Sequence, residues 1–178
     1  MDISTALRGT TLLTSEQDAS RSPSPEQLRA LLARIALRPE LWAPRVRHDP
    51  AQRWYELLLR TGSFEVWLIG WWPGQWTPFH DHGGAAGALT VVSGALTEET
   101  MASGPRARWS RRALTPGTTL PVRSDVVHRV GNAGHAPATS IHAYSPPGLE
   151  MRTFDGSAGG VASRSVRRGA AVGAPRWA

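Results

Sequence analysis

Short runs rich in Val, Leu, Trp and Thr, cut at fairly regular intervals by Gly and Pro, constrain this chain more than any other feature. Turn signals stand at Pro73-Gly74, Gly83-Gly84, Gly94, Ser103-Gly104-Pro105, Pro116-Gly117 and Gly131-Asn132. Glycine supplies positive φ and proline presets its own φ, so such pairs reverse the chain. The runs between them read as strands at 52–60, 64–72, 87–93, 94–101, 106–113, 118–122, 126–131, 138–145 and 149–154. Many short strands without an intervening helical pattern imply an antiparallel barrel or sandwich.

One helix precedes them. Ser24 can cap it, Pro25 suits its first position, Gln27 completes a capping box, and Leu28, Leu31, Leu32 and Ile35 follow at helical spacing. The helix is expected over about 25–38, ending near Pro39. The 178 residues suit one domain, which at this length buries roughly 70% of the surface its unfolded chain exposes. The expected division is an N-terminal extension at 1–22, a single domain at 23–155 with its barrel over about 52–155, and a disordered basic tail at 156–178, where Gly, Ala, Ser and Arg cannot build a core.

Composition removes several kinds of chemistry. With no cysteine, a disulfide framework, a thiolate metal site and a cysteine nucleophile are all excluded, and any metal must rest on His, Asp or Glu. No apolar run reaches membrane-spanning length and no secretory leader pattern opens the chain, so the expected address is the cytoplasm. The formal charge of +6 and the pI of about 11.3 raise a polyanion as partner. Every cation is Arg, however, and Arg164, Arg167, Arg168 and Arg176 fall in the tail, so the charge reads as a composition bias and a nucleic-acid partner is not expected.

Of six histidines, His80, His82, His128 and His142 fall where a strand reading groups them, and His48 and His135 lie in loops. Alternate strand residues share a face, so His80 and His82 project together while Asp81 projects away. His128, in the apolar run Val126-Val127-His128-Arg129-Val130 with Asn132 in the turn beyond, supplies a third ligand. Three imidazoles suit zinc, copper, nickel or iron, so ligand softness leaves the metal open. Ser140, His142 and Tyr144 also alternate. Three inward polar side chains are costly unless they bond to one another, and a Ser–His–Tyr relay meets that demand.

These blocks resemble the cysteine dioxygenase family. His80-Asp81-His82-Gly83-Gly84 through Ser93-Gly94-Ala95-Leu96-Thr97-Glu98 is similar to its first metal-binding block, His128-Arg129-Val130-Gly131-Asn132 to its second, and Ser140-Ile141-His142-Ala143-Tyr144-Ser145-Pro146-Pro147 to its Ser–His–Tyr block. The resemblance covers roughly Arg53 to Phe154. It implies an all-β cupin, a double-stranded β-helix or jelly-roll-like barrel with a short N-terminal helical segment. It also implies Fe(II) on His80, His82 and His128, and Tyr144 contacting substrate and oxygen with His142 and Ser140 orienting it. Animal members carry a cysteine that cross-links to the active-site tyrosine; the equivalent position here is Gly87, so no cross-link can form. The family grips the substrate carboxylate with an arginine from the strand before the first block, for which Arg53 is the first candidate and Arg60 the second.

The implied function is oxidation of L-cysteine with O2 to cysteine sulfinic acid. One alternative is the same chemistry on another small thiol such as 3-mercaptopropionate. Others are a non-catalytic metal-binding cupin and a zinc or nickel isomerase; the isomerase usually wants a carboxylate ligand near the first block, where none faces inward.

Overall fold

The structure is a computed structural model that describes residues 22–101 and 109–154, together with the backbone course of 163–165. Helix α1 spans Pro25–Ala36, its capping box complete: Gln27 N donates to Ser24 Oγ and Ser24 N to Gln27 Oε1. Two 3-10 turns, Pro39–Leu41 and Ala43–Arg45, lead away from it. Pro39 opens the first of them, and the helix stops at Ala36, slightly short of the expected end. Eleven strands follow: β1 Trp54–Arg60, β2 Glu65–Trp71, β3 Phe79–Asp81, β4 Ala86–Ser93, β5 Leu96–Met101, β6 Trp109–Leu114, β7 Thr119–Val122, β8 Val127–Gly131, β9 Ala138–Ser145, β10 Arg152–Phe154 and β11 Ser163–Ser165.

They form a five-stranded sheet in the order β1-β2-β9-β4-β7 and a six-stranded sheet in the order β11-β10-β3-β8-β5-β6. Every strand pairing is antiparallel. This is the all-β cupin architecture expected from the sequence.

Two cores follow from the alternation of side chains along the five-stranded sheet. Val66, Leu68, Ala88, Ile141 and Ala143 pack outward against Leu28, Leu31, Leu32 and Ile35 of α1. Trp67, Ile69, Trp71, Leu89, Val91 and Tyr144 face inward and meet Leu96, Leu114 and Val130 of the opposing sheet. Strands β2 and β9 are therefore buried at every residue. The helix thus covers the outer face of the sheet that carries Tyr144.

The strand expected at 149–154 is shorter, because Pro146 to Met151 form a loop before β10. Strand β3, only three residues long, lies outside the nine apolar runs and is marked in the sequence by the His80–His82 alternation alone. Gly131 is required by close packing, since a Cβ there would lie 2.1 Å from the Trp76 ring. A three-residue strand, β11, stands within the segment read as an unstructured tail; the other tail residues from 156 onward, and residues 1–21 of the extension, lie outside the described residues.

Leu32 is fully buried between α1 and the sheet, so Leu32→Ala removes apolar contact and leaves a cavity. The expected loss is about 2–5 kcal/mol of folding stability, read from the midpoint shift in urea denaturation. A shift below about 1 kcal/mol would show that the helix is not anchored as described.

Candidate metal centre

His80 sits on β3 directly opposite His128 on β8, and directly opposed residues on antiparallel strands point to the same face. His82 follows one alternation beyond His80. All three imidazoles are buried, and one nitrogen from each lies within 4.8 Å of the others. Asp81, between them, turns away as expected: Arg152 on β10 donates Nε and Nη2 to its carboxylate, and Gly83 N donates to Oδ1.

The unused nitrogens decide which atoms face the centre. His80 Nδ1 lies 2.9 Å from the Pro78 carbonyl, an acceptor only, so Nδ1 carries the proton and Nε2 is left as the ligand atom. His128 Nδ1 lies 2.7 Å from Glu98 Oε1 and donates to it, which likewise leaves Nε2 to face the centre. Glu98 is 1% exposed and bound on its other oxygen by Arg112 Nε at 2.6 Å. Burial alone would raise the Glu98 pKa, but the bond and charge of His128 and the Arg112 guanidinium outweigh it and hold the carboxyl below its usual value. A carboxylate behind a ligating imidazole fixes its tautomer and raises its basicity. Nothing in the Thr97-Glu98-Glu99-Thr100 run marks one glutamate as inward.

His82 Nε2 and His128 Nε2 stand 3.2 Å apart. Two nitrogen lone pairs at that distance need a proton or a cation between them, and two bonds of about 2.1 Å to one ion span such a gap at an ordinary angle. Burial first, and then the neighbouring imidazoles, push the pKa values of His80 and His82 well below the usual histidine value. Neutral imidazoles are what a metal requires. The residues therefore fit a metal ion.

On β9 the second polar group is built as expected. Ser140 Oγ lies 2.8 Å from His142 Nε2, and His142 Nδ1 lies 3.1 Å from the Tyr144 hydroxyl. The structure adds a member: Trp71 on β2 donates Nε1–H to Ser140 Oγ at 2.8 Å. Ser140 is fully buried and its hydroxyl must donate as well as accept. With Trp71 supplying the donor, Ser140 donates to His142 Nε2 and His142 Nδ1–H donates to the tyrosine oxygen. The relay thus uses the Tyr144 oxygen as an acceptor and makes no claim on its proton. Burial, with the Glu65 carboxylate adding to it and Arg53 opposing, pushes the phenol pKa up, so Tyr144 stays protonated.

The three imidazoles, His142 and Tyr144 line one small cavity, about 10 Å³ of open space, whose wall also includes Trp71, Thr77, Leu89 and Met151. The Tyr144 and His82 ring centroids are 5.0 Å apart. Gly87 pairs with Tyr144 in register, and a Cβ there would come within 3.0 Å of the His82 ring. Arg53, which alternates with Tyr55 and Leu57 ahead of β1, is half-buried; its guanidinium stacks on Trp71 at 5.2 Å and donates to the Trp76 carbonyl. It acts electrostatically on Tyr144, His80 and His142. Arg60, by contrast, is bound to Glu65. Asn132 is a turn organiser, donating Nδ2 to the Trp71 and Ala136 carbonyls. His48 bonds outside the cavity, to Ala138 O and Thr139 Oγ1. Among the described residues no helix is long and apolar enough to cross a membrane.

A family model described as cysteine dioxygenase type I matches residues 23–157. Cysteine dioxygenase type 1 of Homo sapiens is 28% identical over 138 residues, covering 73% of this chain and 69% of that protein. The Danio rerio protein of the same name is 27% identical over 146 residues, covering 76% and 72%. Among solved structures, a Thermus thermophilus protein superposes with a TM-score of 0.51 at 19% identity, over 58% of this chain and 92% of that one. A Klebsiella pneumoniae protein with a double-stranded β-helix domain gives 0.51 at 21% identity, over 64% and 93%. The structural likenesses bear on the fold.

Two outcomes are expected. Glu98→Gln, which keeps the shape but removes the charge behind His128, weakens metal binding about 10–100-fold, and His82→Ala abolishes it; competition titration with a chelator reads both, and unchanged affinity in Glu98→Gln would remove its proposed influence. Burial, then His128 and Arg53, lower the His142 pKa to about 3, against about 6.5 unfolded. The unfolded chain thus takes up the proton first, and stability held above about pH 6.5 declines as pH falls toward 3. In the metal-free protein, the thermal midpoint of His142→Gln should fall less steeply than wild type between about pH 6.5 and 4.5; parallel slopes would contradict this.

Proposed function

The chain belongs to the cysteine dioxygenase type I family, and from that premise we propose that it oxidises L-cysteine with O2 to cysteine sulfinic acid at an Fe(II) ion held by His80, His82 and His128, in the cytoplasm. The observation that carries this reading is the convergence of three imidazoles and a protonated tyrosine on one closed cavity. The reaction balances without another reductant: R–SH + O2 gives R–SO2H, with sulfur losing the four electrons that the two oxygen atoms gain. Iron would supply the redox chemistry that lets dioxygen react with a thiol, and three neutral ligands would leave it the full charge that lowers a thiol pKa.

The protein's own residues do the rest. Arg53 offers a planar fork for the substrate carboxylate beside Tyr144. Its stacking on Trp71 ties that fork to the relay, because the same indole donates to Ser140. Tyr144, held protonated, donates its O–H to the bound reactants, and His142 and Ser140 fix the direction in which it donates. The buried cavity keeps bulk water from the centre.

The second reading is the same oxidation of 3-mercaptopropionate, favoured by Arg53, since a carboxylate fork serves any mercapto acid. A non-catalytic metal-binding cupin has no need of a relay of four bonded side chains.

Oxygen uptake by the iron-loaded protein, with L-cysteine and 3-mercaptopropionate in parallel and sulfinate quantified, tests the proposal. Uptake matched by sulfinate is expected; none with either thiol, despite bound iron, overturns it. Tyr144→Phe should keep its iron and lose about 10–100-fold in turnover, and iron lost from it as fully as from His82→Ala would contradict the assigned roles.

A further inference from the structure

Four strands of the six-stranded sheet that build the metal centre turn the neighbouring residue to the opposite face. Phe79 precedes His80, Arg129 follows His128, Glu99 follows Glu98, and Arg111 precedes Arg112, the partner of Glu98. The register sets Arg129, Glu99 and Arg111 side by side across β8, β5 and β6, and directly opposed residues share a face. With Phe79, Trp109 and Ser110 they line an open pocket of about 380 Å³, a volume within the roughly 300–1,000 Å³ of small-molecule sites.

This pocket offers a ring surface and a cation. Trp109 packs against Phe79 with ring centroids 4.5 Å apart, yet stays 44% exposed. An indole held against a second ring and open to solvent suits a planar ligand. The two arginines differ in what they have left to give. The Arg129 guanidinium lies over Trp76 at 4.8 Å and over Phe79 at 4.6 Å, and its Nε donates to Glu99 Oε2 at 2.7 Å. The Arg111 side chain is 63% exposed, and its Nε stands 3.7 Å from Glu99 Oε1, beyond hydrogen-bond range. Two guanidinium groups against one carboxylate leave the pocket a positive charge in excess, and Arg111 carries it.

We propose that this outer-face pocket binds a small molecule that joins a planar ring to an anionic group, the ring on Trp109 and the anion in the Arg111 fork. A phosphate and a carboxylate both match such a fork, so a mononucleotide and an aromatic carboxylate share the required chemistry. Alternate strand residues point to opposite faces, so the site is separate from the metal cavity, and it does not depend on the thiol-dioxygenase reading.

Titration calorimetry of the metal-loaded full chain tests this with adenosine monophosphate against adenosine and inorganic phosphate, and with benzoate against acetate. At least one ring-bearing anion should bind with a Kd below about 1 mM, and more tightly than its parts; the arm that binds names the source of the anion. Trp109→Ala and Arg111→Ala should each weaken it about tenfold or more, the scale of one base–aromatic stack or one charge-assisted hydrogen bond. Arg123→Ala removes an equal charge from an exposed pair with Asp125 and should leave Kd unchanged, as should stripping the metal with a chelator. Binding no tighter than that of the parts, or untouched by both pocket variants, overturns the proposal. Equal weakening in Arg123→Ala would reduce the effect to net charge, and loss on metal removal would put the anion on the metal; either outcome overturns it as well.

Discussion

The site depends on one register position, His80 on β3 facing His128 on β8. β3 is only three residues long, and β10 on its other side supports it through the Asp81–Arg152 pair. Without that pairing the two imidazoles would not share a face, and three imidazoles removed from water would have no reason to converge. Burial, and then the neighbouring imidazoles, keep His80 and His82 neutral there. Glu98 holds His128 from behind with a buried negative charge, itself anchored by Arg112. A buried carboxylate without such partners would take up a proton and cease to orient His128.

The five-stranded sheet answers with a different device. Along β9 the outward residues Ile141 and Ala143 join the core under α1, and the inward Ser140, His142 and Tyr144 form the relay. A slip of one residue would exchange the two sets, exposing apolar groups to the cavity and burying unpaired polar ones against the helix. The hydrophobic packing of α1 therefore holds the relay in register, although the helix touches no reacting atom. Trp71 ties this sheet to Arg53 by donating to Ser140 while stacking under the guanidinium.

What could be read from the sequence follows the same physics. The His80–His82 pair and the Ser140–His142–Tyr144 series were legible because strand alternation has a period of two and needs only a few residues to show. The helix was legible because its cap and its apolar stripe agree. Glu98 was not, because Glu98 and Glu99 are adjacent and identical, and only the pairing of β5 with β8 turns the first toward His128 and the second toward Arg129. Trp71 was hidden among five neighbouring tryptophans, where aromatic content is expected of any strand. The parity of Arg53 and Arg60 was beyond reach, since a bulge leaves no mark in a run of three leucines.

That bulge decides what the inner face of β1 presents. It places two arginines on the inner face, and the surroundings give them opposite duties. Arg53 stacks on the Trp71 indole and donates to the Trp76 carbonyl. Arg60 stands beside Glu65 and binds one oxygen of its carboxylate. The Glu65 carboxylate and the Arg53 guanidinium act on the Tyr144 hydroxyl with opposite sign, on a sheet where water screens charge poorly. Reactivity then comes from the six-stranded sheet, which gathers the imidazoles. The five-stranded one answers it with the buried Ser140–His142–Tyr144 relay on the same cavity.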